Sequence, residues 1–305
     1  MEEELYNFGA AAKDLRKLSL ERAKANCDGQ LSTFSKNANG LAASQILASE
    51  NPLAWCLTTR PTTDLGEVEE IVLHIQGMLV GMDLPPISKA RARDTPDRQR
   101  KYLKQSIALA GLGEEGFHNS VDSIASIHDL FSRQFKESEL EPWYPSKFRS
   151  HSSVDIANRY FSPRGSSGSH ADCVPFDPAM DPQGVLQGMA GSTLTHTAEN
   201  AVAYYERLQP SNRMVQALPS YFRVGDIVEA QVSFKVVPLK AGKRKMLVVL
   251  RAIALMDGAY SKNAGILRSK RAIRPPLFVL KRKIGYFNEE EQVRKTSEGI
   301  ANMEV

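Results

Sequence analysis

The stretch of residues 222–257 constrains the fold more than any other part of the chain. It consists of two extended runs, FRVGDIVEAQVSFKVVPLK and KMLVVLRAIALMD, which are separated by a short basic turn around Gly242. In the first run apolar residues alternate with polar ones, which is the period of a strand with one buried face. The apolar positions are Val228, Ala230, Val232, Phe234 and Val236. The pattern predicts a long β-hairpin.

The second run is apolar on both faces except for Arg251 at its centre. A guanidinium is always charged, so it needs polar partners or contact with water. One hairpin register places Arg251 on the polar face beside Glu229 and Ser233, which can satisfy it. The other register places it beside Phe234, where it would need a buried partner or an anionic ligand. A strand that is apolar on both faces also predicts a central position in a sheet.

The first 144 residues indicate helices. Apolar residues recur at spacings of three and four over residues 67–82 and again over residues 121–135, where Ser120 is the expected N-cap. Weaker helical periodicity covers residues 5–25 and 98–110. We therefore predict a helical region from residue 1 to residue 144.

Residues 145–184 are rich in Ser, Pro, Gly and Asp and show no periodicity, which predicts a linker or a long loop. A basic β-rich domain is expected at 185–287, where 201–205 and 276–280 are candidates for a further strand, and a polar tail at 288–305. The predicted fold class is α+β, with a helical N-terminal region. The C-terminal part is expected to be an antiparallel β-sheet or small barrel built on the hairpin.

Charge is distributed unevenly along the chain. Residues 221–305 contain 17 Lys and Arg against 8 Asp and Glu, a net charge of +9, whereas the remainder has a net charge of −5. Such a division is typical of a surface that binds polyanions, most often nucleic acid, although it is also typical of a solvated basic tail. The candidate binding residues are Lys240, Lys243, Arg244, Lys245, Arg251, Arg268, Lys270, Arg271, Arg274, Lys281, Arg282 and Lys283.

Aromatic residues lie among the last of these cations, at Phe278, Tyr286 and Phe287. Because exposed aromatic rings stack on unpaired bases, the mixture favours single-stranded nucleic acid, bound with little sequence discrimination. The run KRAIRPPLFVLKRK also resembles a nuclear-import signal, which leaves open a nuclear protein-interaction module whose basic segment serves only import.

The sequence contains no membrane-spanning run, and its acidic start lacks the pattern of a signal peptide. The three cysteines, Cys27, Cys56 and Cys173, are scattered and fit neither a disulfide framework nor a zinc site. We therefore expect a nuclear or cytoplasmic protein with reduced cysteines.

Catalytic motifs are weak. The sequence has no glycine-rich phosphate loop and no nucleophile elbow, so we expect neither an enzyme nor a cofactor. The alternative is a non-haem iron oxygenase, because His170, Asp172 and His196 contain the His-x-Asp and distant His of a facial triad that binds Fe²⁺. Their spacing is short for such an enzyme.

Residues 185–260 resemble uncharacterised proteins that occur in many copies in mushroom-forming fungi. The resemblance rests on THTAENAVAYYERL and on the hairpin that follows it. It implies an association with mobile elements and no known activity. Within its HT-x-E-N signature, His196, Glu199 and Asn200 would be the first residues to consider as an active site.

Overall fold

The hairpin predicted at 222–257 forms at the centre of a ten-stranded sheet. The computed structural model describes residues 4–37, 40–50, 53–60, 68–164 and 173–272. The helices are α1 (Phe8–Ala25), α2 (Leu31–Phe34), α3 (Lys89–Asp94), α4 (Asp97–Arg100), α5 (Glu115–Ser132), α6 (Val185–Ala190) and α7 (Ala259–Ala272). The strands are β1 (Ser44–Glu50), β2 (Leu53–Thr59), β3 (Leu73–Asp83), β4 (Lys104–Ala110), β5 (Ser146–Phe148), β6 (His151–Arg159), β7 (Ser162–Pro163), β8 (Leu194–Thr195), β9 (Ala203–Leu208), β10 (Arg213–Gln216), β11 (Ile227–Pro238) and β12 (Arg244–Asp257).

Eight of the ten strands follow the order β10-β9-β12-β11-β3-β4-β6-β5, and β1 and β2 form a hairpin that joins the sheet through β11. The pairs are antiparallel except for β9 with β12, which run parallel. Strand β6 approaches β12, since Asn158 Nδ2 donates to Leu250 O at 3.1 Å, but no ladder closes the sheet into a ring within the described ranges. The fold class is α+β, as predicted, and the further strand expected near 201–205 is β9.

Helices cover both faces of the sheet. Helix α5 packs Ile124, Ile127 and Phe131 into the larger core, together with the inward-facing residues of β11. Helix α1 packs Leu15 and Leu18 on the opposite face. The central strands are therefore buried on both sides, and the alternation between the two faces decides which helix each residue meets.

This double burial explains why the predicted helix at 67–82 is wrong. Residues 73–83 form β3, in which Leu73, Ile75 and Leu79 belong to the larger core. Met78 packs instead with residues of α1 on the other face. A strand buried on both faces has apolar residues at both odd and even positions, and here their spacing imitates that of a helix.

Other elements divide between confirmed and wrong predictions. The helices expected at 5–25 and 121–135 form as α1 and α5. The N-cap of α5 is Glu114 rather than Ser120, because the Glu114 side chain accepts from Phe117 N at 2.7 Å. Residues 98–110 contain the end of the short α4 and then strand β4, so a continuous helix was wrong there.

The range 145–184 is not a loop throughout. Strand β6 lies inside it and pairs with β4 from Ser153 to Arg159. Alternate residues of β6, such as Val154 and Ile156, face the core. Strands from before and after this range therefore belong to one sheet. The chain forms one compact unit over Met1–Leu267, which contains that sheet, and a second over Arg268–Val305. The described residues of the second unit are the last residues of α7.

No helix in the described part of the chain is long and apolar enough to cross a membrane.

Candidate nucleic-acid interface

The register of the hairpin places Arg251 at a β-bulge. Gln231 pairs with Ala252 and Val232 pairs with Leu250, so Arg251 is the extra residue on β12. Both registers considered from the sequence assumed an unbroken ladder. The bulge turns the Arg251 side chain to the polar face, where its Nε donates to Ser233 Oγ at 2.9 Å.

Two carboxylates complete the surroundings of Arg251. Its Nη2 lies 2.5 Å from Glu70 Oε1 and 3.3 Å from Glu199 Oε2, and its Nη1 donates to the main-chain oxygen of Glu199 at 2.8 Å. The side chain is only 12% exposed. These contacts give the guanidinium a structural role between β11, β12 and the turn at Ala198–Asn200, and its predicted role in binding nucleic acid stays a prediction.

The tip of the hairpin rests on the segment that follows α5. Arg244 pairs with Glu139 Oε2 at 2.6 Å, and its guanidinium carbon lies 4.7 Å from the centre of the Phe135 ring. Lys243 Nζ donates to Ser138 O at 2.8 Å. Lys240 and Lys245 are exposed, and neither has a carboxylate partner among the described residues. Two of the four predicted tip cations are therefore already engaged.

The predicted cations that follow the hairpin divide into two groups. Arg268, Lys270 and Arg271 are exposed on the last part of α7, which belongs to the second compact unit. The others lie outside the described residues, as do the three aromatic residues on which the preference for single strands was based. These are Arg274, Lys281, Arg282, Lys283, Phe278, Tyr286 and Phe287.

A second basic region was missed by the sequence analysis. Residues 89–104 contain seven Lys and Arg against two Asp, and they form α3, α4 and the turn that leads into β4. Two of these arginines have acidic partners, since Arg91 binds Asp83 through both oxygens and Arg100 binds Asp97 at 2.9 Å. A charge count in short windows would have found this region, which the average over residues 1–220 conceals.

Two cations lie over the ring of Tyr102, and a third lies opposite one of them in the sheet. Lys104 and Arg159 lie directly opposite each other in the β4–β6 ladder. The Arg159 guanidinium carbon is 5.6 Å and Lys101 Nζ is 5.0 Å from the centre of the Tyr102 ring. All four residues are exposed, and the three cations have no carboxylate partner in the described part of the chain. We call Lys101, Tyr102, Lys104 and Arg159 the Tyr102 surface.

His196 occupies the environment of a core histidine. Its Nδ1 lies 2.8 Å from the main-chain oxygen of Tyr160, and its ring stacks on Phe176 with 4.1 Å between centres. Burial lowers the pKa of His196, which favours the neutral ring. His170 and Asp172 lie outside the described residues, so the Fe²⁺ alternative stays a prediction. The described ranges contain no group of three or more side chains placed to hold a metal ion.

The HT-x-E-N signature forms a turn that bridges several strands. Asn200 Oδ1 accepts from Thr197 N at 3.1 Å, which closes the 3₁₀ turn Ala198–Asn200. Gln105 of β4 donates to Asn200 O, and Asn158 of β6 donates to Glu199 O at 2.9 Å. The side-chain oxygen of Asn200 and the main-chain oxygens of Glu199 and Asn200 thus give these signature residues a structural role.

No family model matches the sequence, and no curated protein matches it. Among solved structures, gp2.5, a single-stranded DNA-binding protein encoded by bacteriophage T7, aligns with a TM-score of 0.35 and 10% sequence identity. The alignment covers 61% of this chain and 91% of the phage protein. A similarity at this level carries no argument about fold or function.

Proposed function

We propose that the protein binds nucleic acid with low sequence specificity through the Tyr102 surface. The observation that supports this most is the placement of Lys104 directly opposite Arg159, with Lys101 beside them. Like charges opposite each other in a ladder destabilise a sheet. An anionic ligand offsets that repulsion, and a row of phosphates matches three cations grouped on one surface.

Low specificity follows from the chemistry of these contacts. Lysine and arginine side chains that neutralise phosphates position a strand but do not read its bases. The exposed Lys240 and Lys245 of the hairpin tip are candidates for further phosphate contacts. Lys243 and Arg244 contribute less to the proposal, because they already bind Ser138 and Glu139.

Replacing Lys101, Lys104 and Arg159 together by Gln tests the proposal. We expect the affinity for a short labelled single strand to fall by about tenfold in low salt, equally for strands of different sequence. The slope of log K against log salt should become shallower by roughly 2, since about 0.7 counterions are released per neutralised phosphate of a single strand. Fluorescence anisotropy across a salt series measures both quantities.

The matched control replaces three exposed cations of α1, namely Lys13, Arg16 and Lys24, by Gln. The net charge changes equally in both variants, but only the first alters the Tyr102 surface. Equal losses of affinity in the two variants would show that overall charge, rather than the Tyr102 surface, attracts the strand. Absent or salt-insensitive binding by the unmodified protein would overturn the proposed function itself.

A further inference from the structure

We infer that Tyr102 is a stacking position for one unpaired base, so that the ligand of the Tyr102 surface is single-stranded. The inference rests on the proposed function and adds the class of nucleic acid. Tyr102 is 57% exposed, although its ring is large and apolar. Two cations, Lys101 and Arg159, lie over the ring.

Main-chain hydrogen bonds order the turn that carries this ring. Tyr102 N donates to Gln99 O at 2.9 Å, and Leu103 N donates to Arg100 O at 3.1 Å, which closes the turn between α4 and β4. The Leu103 oxygen in turn accepts from Tyr160 N at 3.0 Å, at the end of β6. The backbone at Tyr102 is therefore already ordered, so the stacking of a base on the ring costs little backbone entropy.

The surrounding cations suit a nucleotide rather than an apolar partner. A base that stacks on Tyr102 carries phosphates on either side. Lys101 Nζ and the Arg159 guanidinium lie over the ring, and Lys104 lies opposite Arg159 in the ladder. A planar guanidinium such as that of Arg159 can also stack against a base. Bases in a duplex are stacked on each other and do not offer a free face, so this arrangement selects unpaired strands.

Tyr144 provides the internal comparison. It is 77% exposed, which is more than Tyr102, but no cation is recorded over its ring in the described part of the chain. Its neighbours in sequence include Glu139 and Glu141 as well as Lys147. An exposed tyrosine without cations should not contribute to binding a strand.

The test compares Tyr102→Ala with Tyr144→Ala on two ligands, a single-stranded oligonucleotide and an abasic strand of equal length. We expect Tyr102→Ala to weaken binding of the base-bearing strand on the order of tenfold, which is a typical contribution of one stacked base. Binding of the abasic strand and the salt slope should be unchanged. Tyr102→Phe should retain the affinity, and Tyr144→Ala should bind both strands like the unmodified protein.

A second measurement reports stacking directly. On binding the base-bearing strand, a Tyr102→Trp variant should show a quenching of indole fluorescence that the unmodified protein, which contains Trp55 and Trp143, does not show. Binding of the abasic strand should cause no such quenching. The stacking role would be overturned if the unmodified protein bound both strands and Tyr102→Ala weakened the affinity for both equally. The proposed function would still stand. The same holds if a duplex binds as tightly as the single strand. If the unmodified protein bound neither strand, both the stacking role and the proposed function would be wrong.

Discussion

Replacing Arg22 by Met is expected to lower the free energy of unfolding by about 3 kcal/mol at neutral pH, because it leaves a buried carboxylate without its charged partner. That carboxylate is Glu229 on β11, which is 4% exposed. Arg22 of α1 binds it through both oxygens, with Nε 2.6 Å from Oε2 and Nη2 2.7 Å from Oε1. His74 Nδ1 at 3.0 Å and Gln76 Nε2 at 2.7 Å complete the site.

The loss should depend on pH in a defined direction. Burial raises the pKa of Glu229, but the hydrogen bonds from His74 and Arg22, together with the charge of Arg22, lower it by a larger amount. The pKa is about 2, compared with an ordinary 4.5. A carboxyl with a lowered pKa stabilises the fold above its unfolded pKa, and that stabilisation is lost as the pH falls through the folded value. The shift corresponds to about 3 kcal/mol, of the same size as the expected effect.

Urea denaturation at neutral and acidic pH measures this pH-dependent loss of stability. The difference in unfolding free energy between the unmodified protein and Arg22→Met should be largest above pH 4.5 and should shrink toward pH 2. Arg16→Met is the control, since Arg16 is exposed on the same helix. A loss of similar size in Arg16→Met, or one that persists unchanged in acid, would mean that the Arg22–Glu229 pair does not hold α1 on the sheet.

The sequence predicted those elements whose apolar residues lie mainly on one face. Strand β11 alternates cleanly because its two faces differ in polarity, and α5 has a single apolar stripe that packs on the sheet. Strand β3 was assigned as a helix because α1 and α5 bury both of its faces. Whether a strand is covered on one side or on two depends on helices distant in sequence, which no local pattern reports.

The candidate site could also be predicted only in part, because it depends on contacts between residues distant in sequence. The seven cations of residues 89–104 are visible in the sequence, but Arg159 joins them only because β4 pairs with β6. The position of Arg251 depends on a bulge, which the alternation of residues in β12 does not indicate because nearly every residue there is apolar. Pairing over long distances therefore decides which cations are grouped and which are neutralised.

Replacing Arg251 by Met is expected to destabilise the fold by about 2 to 3 kcal/mol without changing the affinity of the folded protein for nucleic acid. The guanidinium satisfies Ser233, Glu70 and the main-chain oxygen of Glu199, so its removal leaves acceptors in a half-buried site without donors. Because the Glu199 carboxylate is exposed, losing its contact with Arg251 adds little to the loss of stability. Denaturation measures the first expectation, and anisotropy well below the unfolding transition measures the second.

Arg251→Lys and Lys245→Met serve as comparisons for this variant. Lysine keeps the charge but cannot reproduce the fork of a guanidinium, so Arg251→Lys should lie between the unmodified protein and Arg251→Met in stability. Lys245 is an exposed cation near the start of the same strand, and its removal should leave stability unchanged. If Arg251→Met instead kept its stability and lost affinity, the guanidinium would be a ligand-binding group, and the carboxylates of Glu70 and Glu199 would be partners that an incoming phosphate displaces.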